Sequence, residues 1–508
     1  MEVGLIPLDE RPVNTRYPKM IADIAGVALR LPPAETLSER KRPANCDALA
    51  AWLRDVAPRL DALIVSCEML GYGGLIASRT TDEPASAVIA RLGLLRALKR
   101  QHPSLYIAGF GVITRVAGYD SDAEEPPYWA EYGWRMYRLS QLLDRKAQGQ
   151  AVEAELESLR TALPKAAVDD FLRRRLRNHT VNLASLHSLA EGVLDLLVIS
   201  SDDTSPDGLP SREKRWLSEW AALAGADDHR LLMYPGADEV GCALLARLFN
   251  ADAGVTPRFA PCYGVPGGED VVAPFEDGPV STTVARQVRA VGGTLAGDTG
   301  DLFLAVNPPS AGHPADWNPA VADAERAARQ LHLERMVEEI RRQQGEGQPV
   351  VVADVAYPNG ADPVLVDLLR ARVDLTALAA YGAWNTAGNT IGVALAQGCA
   401  SQRVGNAEQG EAQARFLLHR FVEDWGYQHR VRREAIVRLG ATSDPYNMTP
   451  EDMEETTAWI EARLNAVIDE LPGFAGRYEI APGSVRLPWR RLFEVDFDLS
   501  PRRQSVRL

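Results

Sequence analysis

Cysteine is scarce in this chain: five occur among 508 residues, and no two of them form a Cys-x-x-Cys pair. They are Cys46, Cys67, Cys242, Cys262 and Cys399. An odd number of widely separated cysteines is typical of reduced thiols in a core, and it argues against a disulfide framework or a zinc site.

Long apolar runs and an excess of positive charge are also missing. No uninterrupted apolar stretch is long enough to span a bilayer, and the N-terminus shows no basic and apolar secretion signal. The formal net charge of −14 is unfavourable for binding a nucleic-acid backbone or an anionic membrane. We therefore expect a cytoplasmic protein whose partner is a small molecule or an oligosaccharide, with no nucleic acid and no membrane involved. The sequence does not indicate the oligomeric state.

Several familiar catalytic patterns are absent. None of the eight histidines follows a strongly apolar run, and no Gly-x-Ser-x-Gly turn stands at a predicted strand end. The glycine-rich stretch Gly71–Gly74 lacks both the Gly-Lys-Ser/Thr of a phosphate loop and the spacing of a dinucleotide fingerprint. No cofactor is therefore expected. Carboxylate chemistry remains, or chemistry with oxygen-ligated Mg²⁺ or Ca²⁺.

What the chain does contain is a regular alternation of short apolar runs and longer amphipathic segments, which predicts parallel strands with helices between them. The eight strongest runs are Val3–Leu8, Ala62–Cys67, Leu105–Ile113, Leu194–Ser200, Leu231–Tyr234, Leu302–Val306, Val350–Ala353 and Leu375–Tyr381. Each run passes directly into polar or glycine-rich sequence. Eight such strands predict a (β/α)8 TIM-like barrel with its site at the carboxyl ends of the strands. The alternative is an open doubly wound sheet, or two of them.

Two regions exceed a minimal barrel. Residues 120–190 are largely helical in pattern and predict a helical insertion. Residues 401–508 predict a mostly helical C-terminal region packed on a barrel domain of residues 1–400, with an extended segment near Val485–Phe497.

Asp202 and Asp203 stand side by side where the fourth run, Leu194–Ser200, ends. Two adjacent carboxylates repel each other, and one of them tends to remain protonated near neutral pH. We interpret the pair as catalytic, although Asp202 could instead cap a turn and Asp203 the following helix. Asp238 and Glu239 follow the next run and are competing catalytic acids, with helix capping as the structural alternative.

Further polar residues follow other strong runs and are predicted to bind substrate. They are Asp9, Glu10, Arg11, Glu68, Arg115, Asn359, Asp362, Trp384, Asn385 and Asn389. Arginine suits carboxylates, phosphates and sugar hydroxyls, and an indole beside amides is a plausible sugar platform. Internal salt bridges, tight turns and a Trp packed at the rim are the structural alternatives.

Four of these motifs resemble those of one bacterial family, which is catalogued as domain-of-unknown-function family 4127. They are Pro7–Asn14, Glu68–Leu75, Ser200–Asp203 and Trp384–Thr390. The resemblance spans nearly the whole chain and implies no activity.

The acidic pair is also similar to the Asp-Asp pair of O-GlcNAcase-type hexosaminidases and to the Asp-Glu pair of lysosomal-type β-hexosaminidases. That similarity implies that Asp202 orients a 2-acetamido group whose oxygen attacks the anomeric carbon, while Asp203 is the general acid.

We therefore expect a glycoside hydrolase with a carboxylate mechanism, most concretely a retaining, substrate-assisted β-N-acetylhexosaminidase. Two alternatives remain open. One is a metal-dependent lyase, isomerase or hydrolase with Asp9, Glu68, Asp202 and Asp238 as oxygen ligands. The other is a non-catalytic carbohydrate-binding protein.

Overall fold

A computed structural model describes residues 1–227, 229–297, 299–310, 319–440 and 443–502 of the chain. The chain folds into two compact units. The first contains residues 1–18, 27–245 and 275–277, and the second contains residues 19–26, 246–274 and 278–508.

The core of the first unit is a six-stranded parallel sheet. Its strands are β1 Glu2–Ile6, β2 Ala28–Arg30, β3 Ala62–Ser66, β4 Tyr106–Ile113, β5 Leu196–Ser201 and β6 Leu231–Pro235, in the order β2-β1-β3-β4-β5-β6. Strands β3 and β5 are buried throughout, as expected of apolar runs covered on both faces.

Helices connect these strands. They are α1 Pro12–Ala25, α2 Cys46–Val56, α3 Cys67–Tyr72, α4 Leu75–Thr80, α5 Ala85–Gln101, α6 Trp129–Ala147, α7 Glu153–Ala162, α8 Lys165–Ala190, α9 Leu209–Leu223 and α10 Val240–Asp252. Local sequence sets several ends: the Asn45 side chain accepts a hydrogen bond from Ala48 N at the start of α2. Gly73, with φ 87°, ends α3 in the left-handed region that glycine tolerates. Helices α6 to α8 lie between β4 and β5, in the region where a helical insertion was predicted.

The second unit contains a five-stranded parallel sheet with the order β11-β10-β9-β7-β8. Its strands are β7 Arg258–Tyr263, β8 Thr294–Leu295, β9 Leu302–Asn307, β10 Val350–Asp354 and β11 Ala380–Gly382, and a separate antiparallel pair joins β12 Tyr478–Ile480 to β13 Leu499–Pro501. The helices are α11 Val280–Ala290, α12 Pro319–Gly345, α13 Pro363–Arg372, α14 Ala387–Ser401, α15 Ala407–Arg420, α16 Arg432–Leu439 and α17 Pro450–Asp469, with a π-helical segment Phe421–Val431 between α15 and α16.

The α/β class and the parallel strands are confirmed, but the described strands do not close into the predicted barrel. Five of the eight strong runs form the first sheet and three form the second. In the first sheet β2 lies outside β1 instead of between β1 and β3. That order is typical of an open, doubly wound sheet, whereas a (β/α)8 barrel has its eight strands in sequential order in one closed sheet.

The division of the chain also differs from the predicted boundary at residue 400. Residues 278–508 cluster as part of the second unit, so the C-terminal helices share a unit with β9, β10 and β11. One hydrophobic cluster shows this directly, since it contains Val352 of β10, Ile460 of α17 and Phe497. The segment predicted to be extended contains a backbone bridge from Arg486 to Asp496.

All five cysteines are free thiols; Cys67, Cys242 and Cys399 are buried, and Cys46 and Cys262 are half-buried. No helix in the described part of the chain combines the length and the apolar character needed to cross a bilayer.

Candidate functional site

Asp202 and Asp203 lie at the carboxyl end of β5, where the sequence placed them. The backbone N–H of Asp202 donates to the carbonyl of Ile113 at the end of the neighbouring strand β4, at 3.2 Å. Asp203 has a φ of 43°, which a non-glycine residue adopts only at some cost in conformational energy. Their side chains are 14% and 30% exposed, respectively, so Asp203 is the more accessible acid.

Each acid of the pair has its own arginine. Arg79 Nη2 donates to Asp202 Oδ2 at 2.5 Å, and Arg115 Nη1 donates to Asp203 Oδ2 at 3.0 Å. Arg115 was predicted to bind substrate, and here it holds a catalytic candidate. Arg79, at the end of α4, was not among the residues predicted from the sequence.

The surroundings of Asp203 shift its pKa. Burial raises the pKa of Asp203 to about 6, and the neighbouring charge of Asp202 adds to this, while Arg115 opposes it. A carboxyl group with such a pKa can carry a proton near neutral pH, which a general acid requires.

Glu125 connects the two arginines. Its Oε1 accepts from Arg79 Nη1 and from Arg115 Nε, both at 3.3 Å, and the neighbouring Glu124 accepts from Arg115 Nη2 at 3.0 Å. Burial raises the pKa of Glu125, although both arginines lower it. A cavity of about 30 Å³ adjoins Arg79, Arg115 and Glu125, which is enough room for a water molecule. Arg79 Nε has no hydrogen-bond partner among the described residues.

A second charged cluster lies at the same edge of the sheet. Arg11 donates from Nη2 to Asp9 Oδ2 at 2.7 Å and from Nη1 to Asp238 Oδ2 at 3.2 Å. Asn14 Nδ2 donates to both acids, at 2.9 and 3.2 Å. Burial raises the pKa of Asp238, Arg11 lowers it, and the charges of Asp9 and Asp202 raise it further.

These contacts join the loops that follow two strands lying far apart in the first sheet. Arg11 follows β1 and Asp238 follows β6, and four strand-to-strand steps separate these two strands. In a flat sheet four steps span roughly 19 Å, at about 4.8 Å each. The loops after β1 and β6 nevertheless meet through their side chains.

Glu239 directly follows Asp238 and is fully buried, immediately before α10. A Cβ atom added at Gly236 would lie 2.3 Å from Glu239 Oε1, so the carboxylate rests directly against that glycine. Gly236 also has a φ of 139°, which L side chains rarely adopt. Glu239 is therefore less accessible than Asp203 to any substrate.

Glu10 and Glu68 make contacts of a different kind. Glu10 accepts from the Ser38 hydroxyl and from the Arg40 backbone N–H. Glu68 accepts from Val112 N of β4 at 2.8 Å, and burial raises its pKa to about 7. Glu68 thus lies in α3 and ties that helix to β4, an arrangement different from the flexible loop with a tight turn that was the predicted structural alternative.

The remaining predicted residues belong to the second unit and follow its own strands. The candidates therefore follow strands of two different sheets, whereas a single barrel was expected. Asp362 caps α13 by accepting from Val364 N at 2.9 Å. It also accepts from Asn307 Nδ2 and Arg329 Nε, both at 3.2 Å, and its backbone N–H donates to Asp354 Oδ2 at 2.7 Å.

Asp354 and Asp424 are buried acids of the second unit that the sequence analysis did not select. Burial raises the pKa of Asp354 to about 7, helped by the charge of Asp362. Burial likewise raises the pKa of Asp424 to about 6, against the opposing effect of Arg420. Asp354 ends β10, so its position after a strong apolar run was a usable signal. Asp424 lies in the π-helical segment, which no sequence pattern indicated.

Trp384 does not form the exposed sugar platform that was predicted. It is 5% exposed and meets Phe493 edge-on, with ring centroids 5.9 Å apart. Asn385 has a φ of 73° and accepts from Thr386 N at 2.8 Å, and Asn389 Nδ2 donates to the Thr386 hydroxyl at 3.1 Å. These contacts match the structural alternative of a Trp packed in the protein and amides that shape the start of α14. Asn359 resembles Asn385 in having a positive φ, of 58°.

The comparisons with known proteins agree with the motifs. A family model described as "Protein of unknown function (DUF4127)" matches residues 3–498, which is nearly the whole chain. Comparison with curated proteins and with solved structures returned no match. The chain therefore belongs to the DUF4127 family.

Proposed function

We propose that this protein is a glycoside hydrolase in which Asp203 is the general acid and Asp202 is the partner carboxylate. One observation carries the proposal. Two adjacent acids at a strand end are held by different arginines, and burial raises the pKa of the more exposed acid, Asp203, to about 6. Pairs of carboxyl groups whose environments differ in this way are the basis of acid catalysis at glycosidic bonds.

The proposed reaction transfers the proton of Asp203 to the glycosidic oxygen as its bond to the anomeric carbon breaks. In the substrate-assisted form, the 2-acetamido oxygen bonds to that carbon and Asp202 orients the acetamido N–H. Water then attacks the anomeric carbon as the bond from that carbon to the acetamido oxygen breaks, and Asp203 accepts the proton that the water loses. Since the sheet is open, the similarity to hexosaminidases is limited to the acid pair, and the 2-acetamido sugar is the finer part of the proposal.

The other acids are less suited to the second catalytic role. The Asp238 side chain is 7% exposed, against 30% for Asp203, and Glu239 is fully buried. The contacts likewise give less support to the metal-dependent alternative. Of its four suggested ligands, Asp9 and Asp238 bind Arg11, Asp202 binds Arg79, and Glu68 accepts from a backbone amide. We keep the cytoplasm as the proposed location and an oligosaccharide as the proposed substrate.

A panel of 4-nitrophenyl glycosides, with and without a 2-acetamido group, tests the proposal. Asp203→Asn should lower kcat by about 10²–10⁴, the usual contribution of a general acid. The loss should be smaller with a 2,4-dinitrophenyl leaving group, which needs little protonation. Wild-type activity should fall as the pH rises above about 6, because Asp203 loses its proton.

Asp207→Asn is the matched control, because Asp207 lies in the same loop and pairs with Arg145 at 2.8 Å. It should leave kcat unchanged. Full activity of Asp203→Asn on every glycoside that the wild type cleaves would refute the assignment. Saturable binding of the glycosides without any product would instead identify a non-catalytic carbohydrate-binding protein.

A further inference from the structure

An exposed group of aromatic side chains lies next to the acid pair in the first unit. We name Tyr119, Trp134 and Tyr137 the aromatic patch. Trp134 is 56% exposed and Tyr119 is 48% exposed, whereas Tyr137 is half-buried. Exposed aromatic rings that lie close together form a candidate binding surface.

The backbone positions the patch. Trp134 and Tyr137 are three residues apart on α6, and their rings stack with centroids 5.5 Å apart at an angle of 26°. The carbonyl of Tyr119 lies only 2.1 Å from where a Cβ of Gly133 would be, so only glycine allows this loop to approach α6. Trp134 N also donates to Asp120 Oδ1 at 2.8 Å, which ties the two segments together.

One guanidinium group connects the patch to the acid pair. Arg115 donates from Nη2 to the Tyr119 hydroxyl at 2.6 Å and from Nη1 to Asp203 Oδ2 at 3.0 Å. The arginine also lies over the Tyr119 ring, 5.7 Å from its centroid. Arg115 therefore contacts both Asp203 and one ring of the aromatic patch.

The exposed area of the aromatic patch distinguishes a small ligand from a protein partner. At about 150–250 Å² per ring, exposures of 56% and 48% leave roughly 150–250 Å² of aromatic surface. A stable protein partner covers about 800 Å² on each side. The patch is much smaller than that and matches one or two flat rings of a ligand.

Its chemistry also matches a sugar. Aromatic faces accept the C–H face of a pyranose, and surrounding polar groups bind its hydroxyls. Asp120 and Gln141 lie at the rim, where Gln141 Nε2 donates to the Tyr137 hydroxyl at 3.2 Å.

We infer that the aromatic patch is a sugar-stacking subsite, and that the substrate is an oligosaccharide extending from Asp203 over Trp134. This inference rests on the proposed function for the position of the cleaved bond. The stacking itself is a binding property and can be measured without turnover.

The test uses the full chain and three soluble probes: chitotetraose, cellotetraose and mannotetraose. Ligand-observed NMR titration gives the Kd of each. Trp134→Ala should weaken the tetrasaccharide that binds best by about tenfold, the upper end of what one aromatic contact contributes. Trp134→Phe should restore most of the affinity, because it keeps an aromatic face.

Trp220→Ala is the matched control, since Trp220 of α9 is 57% exposed and lies outside the patch. It should not change the Kd. Three outcomes would overturn the inference: no tetrasaccharide binds, Trp134→Ala binds as tightly as the wild type, or Trp134→Ala instead abolishes a self-association seen by sedimentation. Failure of the proposed function would look different, with tetrasaccharides bound in a Trp134-dependent way and no glycoside cleaved.

Discussion

Replacing Arg11 by methionine tests whether the cluster around it is held by charge. Arg11 is 6% exposed at its side chain, between Asp9 at 1% and Asp238 at 7%. Methionine fills similar space but leaves two buried carboxylates without their arginine. Removal of one partner from a buried ion pair costs about 3–5 kcal/mol. We expect a loss of that size in the free energy of unfolding.

The stability loss in Arg11→Met should depend on pH, and the pKa of Asp238 decides in which direction. Burial already holds the pKa of Asp238 above its usual value, and Arg11 is the main group that lowers it. Without Arg11 the folded protein binds a proton at Asp238 more strongly, so protonation relieves part of the cost. The loss in Arg11→Met should therefore be smaller at pH 5 than at pH 8.

Urea unfolding followed by circular dichroism measures both effects. Arg59→Met is the control, because the pair of Arg59 with Asp55 is 54% and 77% exposed and should contribute at most about 1 kcal/mol. A loss below about 1 kcal/mol for Arg11→Met, or an equal loss at pH 5 and pH 8, would refute the reasoning.

Two further predictions concern stability. Gly236→Ala should lower the free energy of unfolding more than twice as much as Gly192→Ala. Both glycines have a positive φ, but only Gly236 adjoins a buried carboxylate, that of Glu239. Equal losses of unfolding free energy in urea would contradict this. Raising the pH from 5 to 8 should weaken the second unit, because the folded pKa values of Asp354 and Asp424, about 7 and about 6, exceed the unfolded value of about 3.9. The folded state then binds more protons over this range, so stability falls as the pH rises to about 7 and levels off above it. Asp354→Asn should flatten the profile, and a wild-type stability that is constant or rises from pH 5 to pH 7 would show the opposite sign.

The local structure was predictable from the sequence, whereas the grouping of strands was not. Apolar runs such as Ala62–Cys67 and Val350–Ala353 predict their strands directly, because a strand that is buried on both faces consists of continuous apolar sequence. Which strands share a sheet depends on the crossovers. Nothing in the short segment Val27–Leu31 shows that its strand lies outside β1, and this placement is what leaves the sheet open.

The candidate site was likewise predictable only where its residues are local to a strand end. Asp202 and Asp203 were found because they directly follow a strand. Their partners come from segments far away in the sequence. Arg79, at the end of α4, lies 123 residues from Asp202, and Glu125 lies in the loop before α6. Trp384 was misjudged because the sequence gives its neighbours along the chain but not Phe493, which covers it.

The buried thiols make the two units separately observable. Cys67 in the first unit and Cys399 in the second are each 2% exposed, and burial raises the pKa of both to about 12. A thiolate-specific reagent reaches such a group only when the surrounding structure opens. The labelling rates of these two cysteines, resolved by peptide mass, therefore report the opening free energy of each unit within one unmodified chain.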